Sequence, residues 1–279
     1  MNIPKELHDT DLLFHFTKAY IAMEDILYKR KIRFSSLSDM NDPYEYKIVS
    51  SGLPPDGSMD ISPEIASEAM FMLRDTILNK SKILSVVRSK EKNIEDDYQW
   101  VFTKPRLWAQ YAEAQYGVCL IFSLNAFLEE IKRSYPKLTV YHNYVEYDLA
   151  RGKKSSKTYL RNYDTSRNSD ENIRTHIETE QKDIFFRKYE DFRDENEYRI
   201  VLIDWEDNKN RDIYIDIQEI IRGVIIGERF HKVYEEAIKD LVINKLNANL
   251  YRIFYLTSYV DIKNIKPNKS VQGEKGGSC

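Results

Sequence analysis

The chain has 279 residues, 42% of them hydrophobic, and a formal net charge of −3. At ~150 residues per domain, that length holds one large domain or two small ones, with enough apolar material for a sizeable core. An aromatic content of 13% excludes intrinsic disorder, and 42 basic against 45 acidic side chains exclude a global field drawing the protein to nucleic acid or membrane. Two cysteines, Cys119 and Cys279, exclude a disulfide framework and a four-thiolate metal site. Nine glycines, three of them in the last seven residues, argue against glycine-rich phosphate loops. No run approaches the ~18 apolar residues of a membrane helix, and the opening residues lack a signal-peptide core. The expectation is a cytoplasmic protein of a reducing compartment, with no membrane partner.

In chain order, Leu12 to Thr17 reads as a buried strand, and Lys18 to Lys31 as a helix because Ala19, Ala22, Ile26 and Leu27 recur at helical spacing. Ile32 to Ser36 is a second strand, followed by a turn through Asn41, Asp42 and Pro43. Ser62-Pro63-Glu64 starts a helix that the apolar spacing carries to Leu84. Tyr98 to Thr103 alternates as a strand, Pro105 opens a short helix, and Gly117 to Phe122 is a buried strand. Ser123 caps a helix to Tyr135, and Leu138 to Tyr147 alternates as a strand. Residues 150–174 carry seven basic against three acidic side chains, a local +4, and a charged helix continues to Tyr189. Strands at Glu197 to Ile203, Val224 to Ile226 and Tyr251 to Leu256, with a helix from His231 to Asn247 between the last two, complete the pattern. The interspersed elements point to an α+β fold, one mixed-sheet domain over residues 1–266 with flanking helices, a basic helical insertion at 151–190 and a disordered tail at 267–279.

Five groups of residues could carry chemistry. Glu195, Glu197 and Arg199 are spaced two apart, so a strand beginning at Glu195 lines all three on one face. Such a pair either supports a carbocation-like sugar centre while the second carboxylate accepts a proton, or is an ion pair on a solvent-facing edge strand. His15, flanked by Phe14 and Phe16, is either a satisfied core histidine or a neutral partner for a ribose hydroxyl. Trp108 and Tyr111 share a helix face, with Trp108 suited to the core and Tyr111 to a cleft floor. Asn41 sits in a turn after a strand end, where binding loops gather. Lys153, Lys154, Lys157 and Arg161, interleaved with Tyr159, suit a phosphate backbone and stacked bases, or form a solvated face. No His-x-x-x-His or Cys-His spacing occurs, so no metal is expected, and Cys119 is too buried by context to be a nucleophile.

Taken in order, Leu13-Phe14-His15-Phe16-Thr17, Ile32-Arg33-Phe34-Ser35, Asn41-Asp42-Pro43-Tyr44-Glu45, Leu107-Trp108-x-x-Tyr111-Ala112, Gly117-Val118-Cys119-Leu120 and Lys188-x-x-x-Phe192-x-x-Glu195-x-Glu197-Tyr198-Arg199 resemble a bacterial family, the domain of unknown function 2971. Tyr116 stands where that pattern has a His, and Phe192 where it has a Trp. The layout also resembles, more distantly, the ADP-ribosyltransferases of the DNA-modifying toxin type. That resemblance implies a split sheet and NAD as a substrate. It puts His15, Thr17, Ser35, Asn41, Tyr111 and Arg199 around the dinucleotide, with Tyr111 stacking on a ring. Glu197 would stabilise the oxocarbenium ion and Glu195 would activate the acceptor, which requires His15, Tyr111 and Glu197 to share one cleft. The function so implied is ADP-ribosyl transfer to RNA or DNA by a toxin or phage-defence effector, with a neutralising antitoxin or regulatory protein as a possible partner. Two alternatives stand beside it: a non-catalytic nucleic-acid-binding or regulatory module using the basic stretch, and a metal-dependent nuclease built on Asp191, Asp194, Glu195 and Glu197.

Overall fold

The computed structural model describes residues 3–39, 62–89, 100–148, 163–206 and 212–266. Ten strands form one mixed sheet: β1 (Leu12–Thr17), β2 (Lys31–Ser36), β3 (Ser81–Val87), β4 (Val118–Ser123), β5 (Thr139–Tyr144), β8 (Glu197–Ile203), β9 (Ile213–Asp216), β10 (Ile221–Ile226), β11 (Asn249–Tyr255) and β12 (Val260–Asn264). Two short strands, β6 (Glu146–Asp148) and β7 (Arg187–Tyr189), pair in parallel beside it. The helices are α1 (Ile21–Leu27), α2 (Pro63–Asp75), α3 (Pro105–Tyr111), α4 (Leu124–Ser134), α5 (Ser169–Phe185) and α6 (Glu235–Lys239). An α+β fold with a large mixed sheet and flanking helices is what the interspersed pattern predicts.

Strand order along the main path is β12-β11-β10-β4-β1-β3-β2-β9, and β8 lies along the other edge of β3, with β5 beyond it. β3 therefore carries two strands on one edge. Ser35 and Ser36 of β2 pair with Ile83 and Lys82, whereas β1 touches it only where Phe14 faces Val87. Between those points, residues 84–86 have no strand beside them on that edge, and the sheet parts into a wedge. Register fixes the two faces, because directly opposed residues point the same way. Leu13, Leu84, Val86, Tyr198 and Ile200 face α1, α4 and α6, whereas Phe14, Val87 and Cys119 face α3. α2 and α5 close the second face over β3 and β8 through Leu73, Ile77, Ile173, Ile177 and Phe185.

Local chemistry accounts for most element ends. Ser62 accepts the Ile65 N–H at 3.4 Å with Pro63 at the first turn, and Ser123 accepts the Ala126 N–H at 3.3 Å. The helix expected to run from Pro63 to Leu84 stops as an α-helix at Asp75, loosens into a wider π-wound turn over Thr76–Lys80, and becomes a strand at Ser81. Its apolar residues continue at helical spacing, but the Ser81 hydroxyl bonds back to the Ile77 carbonyl and the β-rich run after it is drawn into the sheet between β2 and β8. The described residues before Pro105 form a short 3₁₀ turn, Val101–Thr103, rather than a strand, and Thr103 donates both its N–H and its hydroxyl back to the Trp100 carbonyl. Val145 divides the strand expected over 138–147 into β5 and β6. The charged helix expected to Tyr189 ends at Phe185 and gives way to β7, and α5 carries Ile173, Ile177, Ile184 and Phe185 into the core. The helix expected from His231 to Asn247 forms as one unbroken helical stretch over 232–245, whose winding changes along it from 3₁₀ through α to π. β9 and β12 went unanticipated, being edge strands of only four and five residues. The tail at 267–279 lies outside the described residues, and no helix among those described is long and apolar enough to cross a membrane.

Candidate functional site: a buried ion cluster behind an open wedge

Glu197, Tyr198 and Arg199 open β8, a strand whose seven residues are all buried because β3 and β5 flank it on both sides. The solvent-facing edge strand is therefore excluded. Glu195 is not in the strand; it ends a 3₁₀ turn, Glu190–Glu195, and a left-handed Asn196 (φ 47°) swings the chain into β8. Asparagine accepts that conformation more readily than most residues. The two carboxylates meet through Lys188 of β7, whose Nζ lies 2.8 Å from Glu195 Oε2 and 3.2 Å from Glu197 Oε2. Arg199, fully buried, grips Glu197 with Nε (2.7 Å) and Nη2 (3.1 Å) and donates Nη1 to the Phe185 carbonyl at 2.8 Å. The Tyr111 hydroxyl donates to Glu195 Oε1 at 2.6 Å, and the Tyr147 hydroxyl accepts the Glu197 N–H at 2.9 Å.

Two acids and two bases thus cancel inside the protein. Burial alone would raise the Glu197 carboxyl, but the Arg199 and Lys188 charges, helped by hydrogen bonds from Arg199 and Ser85, outweigh it and hold the pKa at about 2. Burial raises the Tyr147 phenol above its ordinary range. Tyr111 is partly buried, its hydroxyl on Glu195 and its ring against the apolar cluster around Phe14 and Trp108. Trp108 is a core residue, bonded through Nε1 to the Phe102 carbonyl at 2.8 Å. Asp194 faces Arg106 at 3.1 Å instead of joining the glutamates, and no three His, Cys, Asp or Glu among the described residues are placed to hold a metal. The nuclease arrangement is therefore not formed: Lys188 and Arg199 occupy the space a cation would need. Burial raises the Cys119 thiol well above its usual range, as its context predicts.

His15 is elsewhere. Register places it on the opposite face from Phe14, Val87 and Glu197, at the parting between β1 and β3. Its Nδ1 donates to the Ser85 carbonyl at 3.1 Å, on the open edge of β3. Burial lowers its pKa, partly offset by that hydrogen bond, so the ring is neutral near pH 7 and Nε2 is left as an acceptor. A cleft of about 730 Å³ opens here, and Ser35, Ser85, Lys29, Lys31 and Arg33 line it with His15. Asp25 pairs with Lys29 at 2.5 Å, and Arg33 stands 3.9 Å from Asp212, which leaves Lys31 as the cation with no ion pair among the described residues. Ser85 joins the two places: its carbonyl takes His15 and its hydroxyl bonds Glu197.

His15 and Ser35 therefore meet in one cleft, while Tyr111, Glu195, Glu197 and Arg199 meet in a closed cluster behind it. The single shared cleft that the transferase resemblance requires is replaced by two neighbouring sites. Thr17 is buried at the end of β1 opposite Val118 and lines neither. Asn41, Lys153, Lys154, Lys157, Tyr159 and Arg161 lie outside the described residues. Lys188 and Ser85 are the functional neighbours that sequence reasoning missed. Lys188 opens the last segment of the family pattern, but only the fold brings it under the glutamates.

No curated protein and no solved structure matches the chain. Residues 107–200, which hold Tyr111, Tyr147, Lys188, Glu195, Glu197 and Arg199, match the model of a family described as a protein of unknown function (DUF2971).

Proposed function

We propose that the wedge between β1 and β3 is by itself the ligand cleft of an NAD-dependent ADP-ribosyltransferase, one that departs from the resemblance in not bringing Tyr111 and Glu197 into the cleft of His15. The observation that carries this reading is the meeting of His15 and Ser35 with three cationic side chains along an open strand edge. A neutral histidine acceptor and the Ser35 hydroxyl suit ribose, and Lys31 with Arg33 suits a diphosphate. In the reaction, the bond from ribose C1′ to nicotinamide breaks with its electron pair leaving on nicotinamide, the acceptor's nucleophile bonds C1′, and the nucleophile's proton passes to solvent water. Glu197 acts here through Ser85, as a positioning residue, and Tyr111 has no stacking role. The acceptor is nucleic acid, drawn by the basic stretch 151–174.

Nicotinamide release from NAD, measured with RNA, single-stranded DNA and lysate protein as acceptors, tests the reading. Release that His15→Ala and Ser35→Ala each reduce at least tenfold, in variants with unchanged melting, is the expected result. NAD that neither binds nor turns over with any acceptor overturns it. Label transferred only to protein overturns the nucleic-acid acceptor and leaves the transferase standing.

A further inference from the structure

A second cleft, of about 440 Å³, opens on a different face of α1 from the His15 wedge. Tyr20, Tyr116, His231 and Tyr234 contribute rings to its wall, Glu24 and Glu113 contribute carboxylates, and no lysine or arginine lines it. Three of the rings touch: His231 stacks on Tyr116 with centroids 4.9 Å apart and meets Tyr234 edge-on at 6.3 Å. Tyr20 and Tyr234 are about half exposed, so the wall is open to solvent. Aromatic faces are the negative pole of the ring quadrupole, so rings and carboxylates here act with one sign. Two neighbouring cations show these rings attracting positive charge: Arg229 lies 4.6 Å from the Tyr116 centroid and Lys18 5.9 Å from that of Tyr20.

The backbone supplies an independent sign of function. Glu113, Ala114 and Gln115, none of them glycine, are consecutively left-handed (φ 49°, 51° and 74°). Strain of that kind persists only where surroundings impose it, and it collects at ligand sites. This turn is held by the Arg229 N–H on the Gln115 carbonyl at 3.2 Å and by Gly227, where any Cβ would stand 2.0 Å from that same oxygen. Its result is to bring Glu113 and Tyr116 to one cavity.

We propose that this cleft binds an alkylated organic ammonium group, quaternary or methylated. Such a cation carries its charge on a large, weakly hydrated surface, so methyl groups can lie on the rings while the two glutamates neutralise the charge. A neutral base would stack on the wall and leave both carboxylates uncompensated. A small metal ion would shed tightly held water for only two oxygen ligands. The chemistry is shared by a free quaternary amine and a trimethyllysine side chain, and it is independent of the reading of the His15 wedge.

Tetramethylammonium titrated into the full chain, followed by tyrosine fluorescence and calorimetry, tests the site. The expected result is saturable binding that weakens at least tenfold in Tyr234→Ala and severalfold in Glu24→Gln, both solvent-accessible positions, with neopentyl alcohol, the neutral counterpart of similar shape, binding at least tenfold less tightly. Choline and a trimethyllysine peptide then distinguish the two sources by which binds more tightly. Equal binding of the neutral counterpart, absence of saturation by tetramethylammonium, or preference for adenosine each overturns the proposal. Because His15→Ala leaves this cleft intact, the two sites succeed or fail separately.

Discussion

At the scale of single residues, Glu197 is bound into the protein by more contacts than a catalytic carboxylate facing solvent would have. Replacing it with Gln leaves the fully buried Arg199 short of its counter-charge, and breaking such a pair costs about 3–5 kcal/mol. Glu197→Gln should therefore lower the urea midpoint sharply, and lost activity in that variant carries no mechanistic weight unless its folding is measured alongside. Glu195→Gln keeps the Tyr111 hydrogen bond and loses the charge that faces Lys188, so the expected loss is smaller, about 1–3 kcal/mol, read in the same denaturant series. The two-residue spacing of Glu195, Glu197 and Arg199 was legible as a charged group on one side of the chain. That it is buried was not legible, because the strands enclosing it, β3 and β5, come from segments more than 50 residues upstream, and Lys188 enters from a strand no periodicity announces.

At the scale of elements, the strained turn after α3 makes opposite predictions at its two ends. Each left-handed non-glycine residue costs about 1–2 kcal/mol, and glycine avoids that cost at an entropic loss of roughly 0.5–1 kcal/mol. Ala114→Gly should thus raise stability by about 0.5–1 kcal/mol in thermal melts, an unusual sign for a helix-breaking residue. Gly227→Ala forces a methyl onto the Gln115 carbonyl and should cost about 1–3 kcal/mol, with the turn displaced. Strands that are unbroken apolar runs, such as β4, were readable from sequence. The boundary at Ser81 was not, since the apolar spacing of Ile77, Leu78, Leu84 and their neighbours satisfies a helix as well as a strand, and only competition for the edge of β3 decides between them.

At the scale of the whole molecule, acid should act in two windows. His15 is neutral in the folded protein because burial lowers its pKa, so the unfolded chain takes up a proton first as pH falls below ~6.5, and stability drops there. Glu197, held at about 2, stabilises the fold above the ordinary carboxylate range near ~4.3 and loses that contribution as pH falls from there toward 2. Urea midpoints followed from neutral pH downward should show both declines, and His15→Gln should reduce the first, to which His142, lowered by burial and the Arg88 charge, also contributes, while leaving the second. The mixed α+β organisation followed from the interspersed pattern alone. The parting of the sheet did not, because it depends on where β1 leaves β3, a matter of register among strands some 70 residues apart.

That single Phe14–Val87 contact has a dynamic consequence. The β2–β9 ribbon reaches the rest of the sheet through only two residue pairs to β3, so backbone amides in Ile32–Phe34 and Ile213–Ile215 depend on packing against α1 and α4 for their protection. Hydrogen exchange should find the ribbon opening as its own cooperative unit, orders of magnitude faster than β4, which is paired along its whole length on both sides. The molecule then behaves as a rigid plate with a hinged flap, and the wedge widens or narrows with the flap: any ligand bridging His15 of β1 and Ser35 of β2 would pin the flap to the plate and slow exchange as far as β9, which the ligand does not touch.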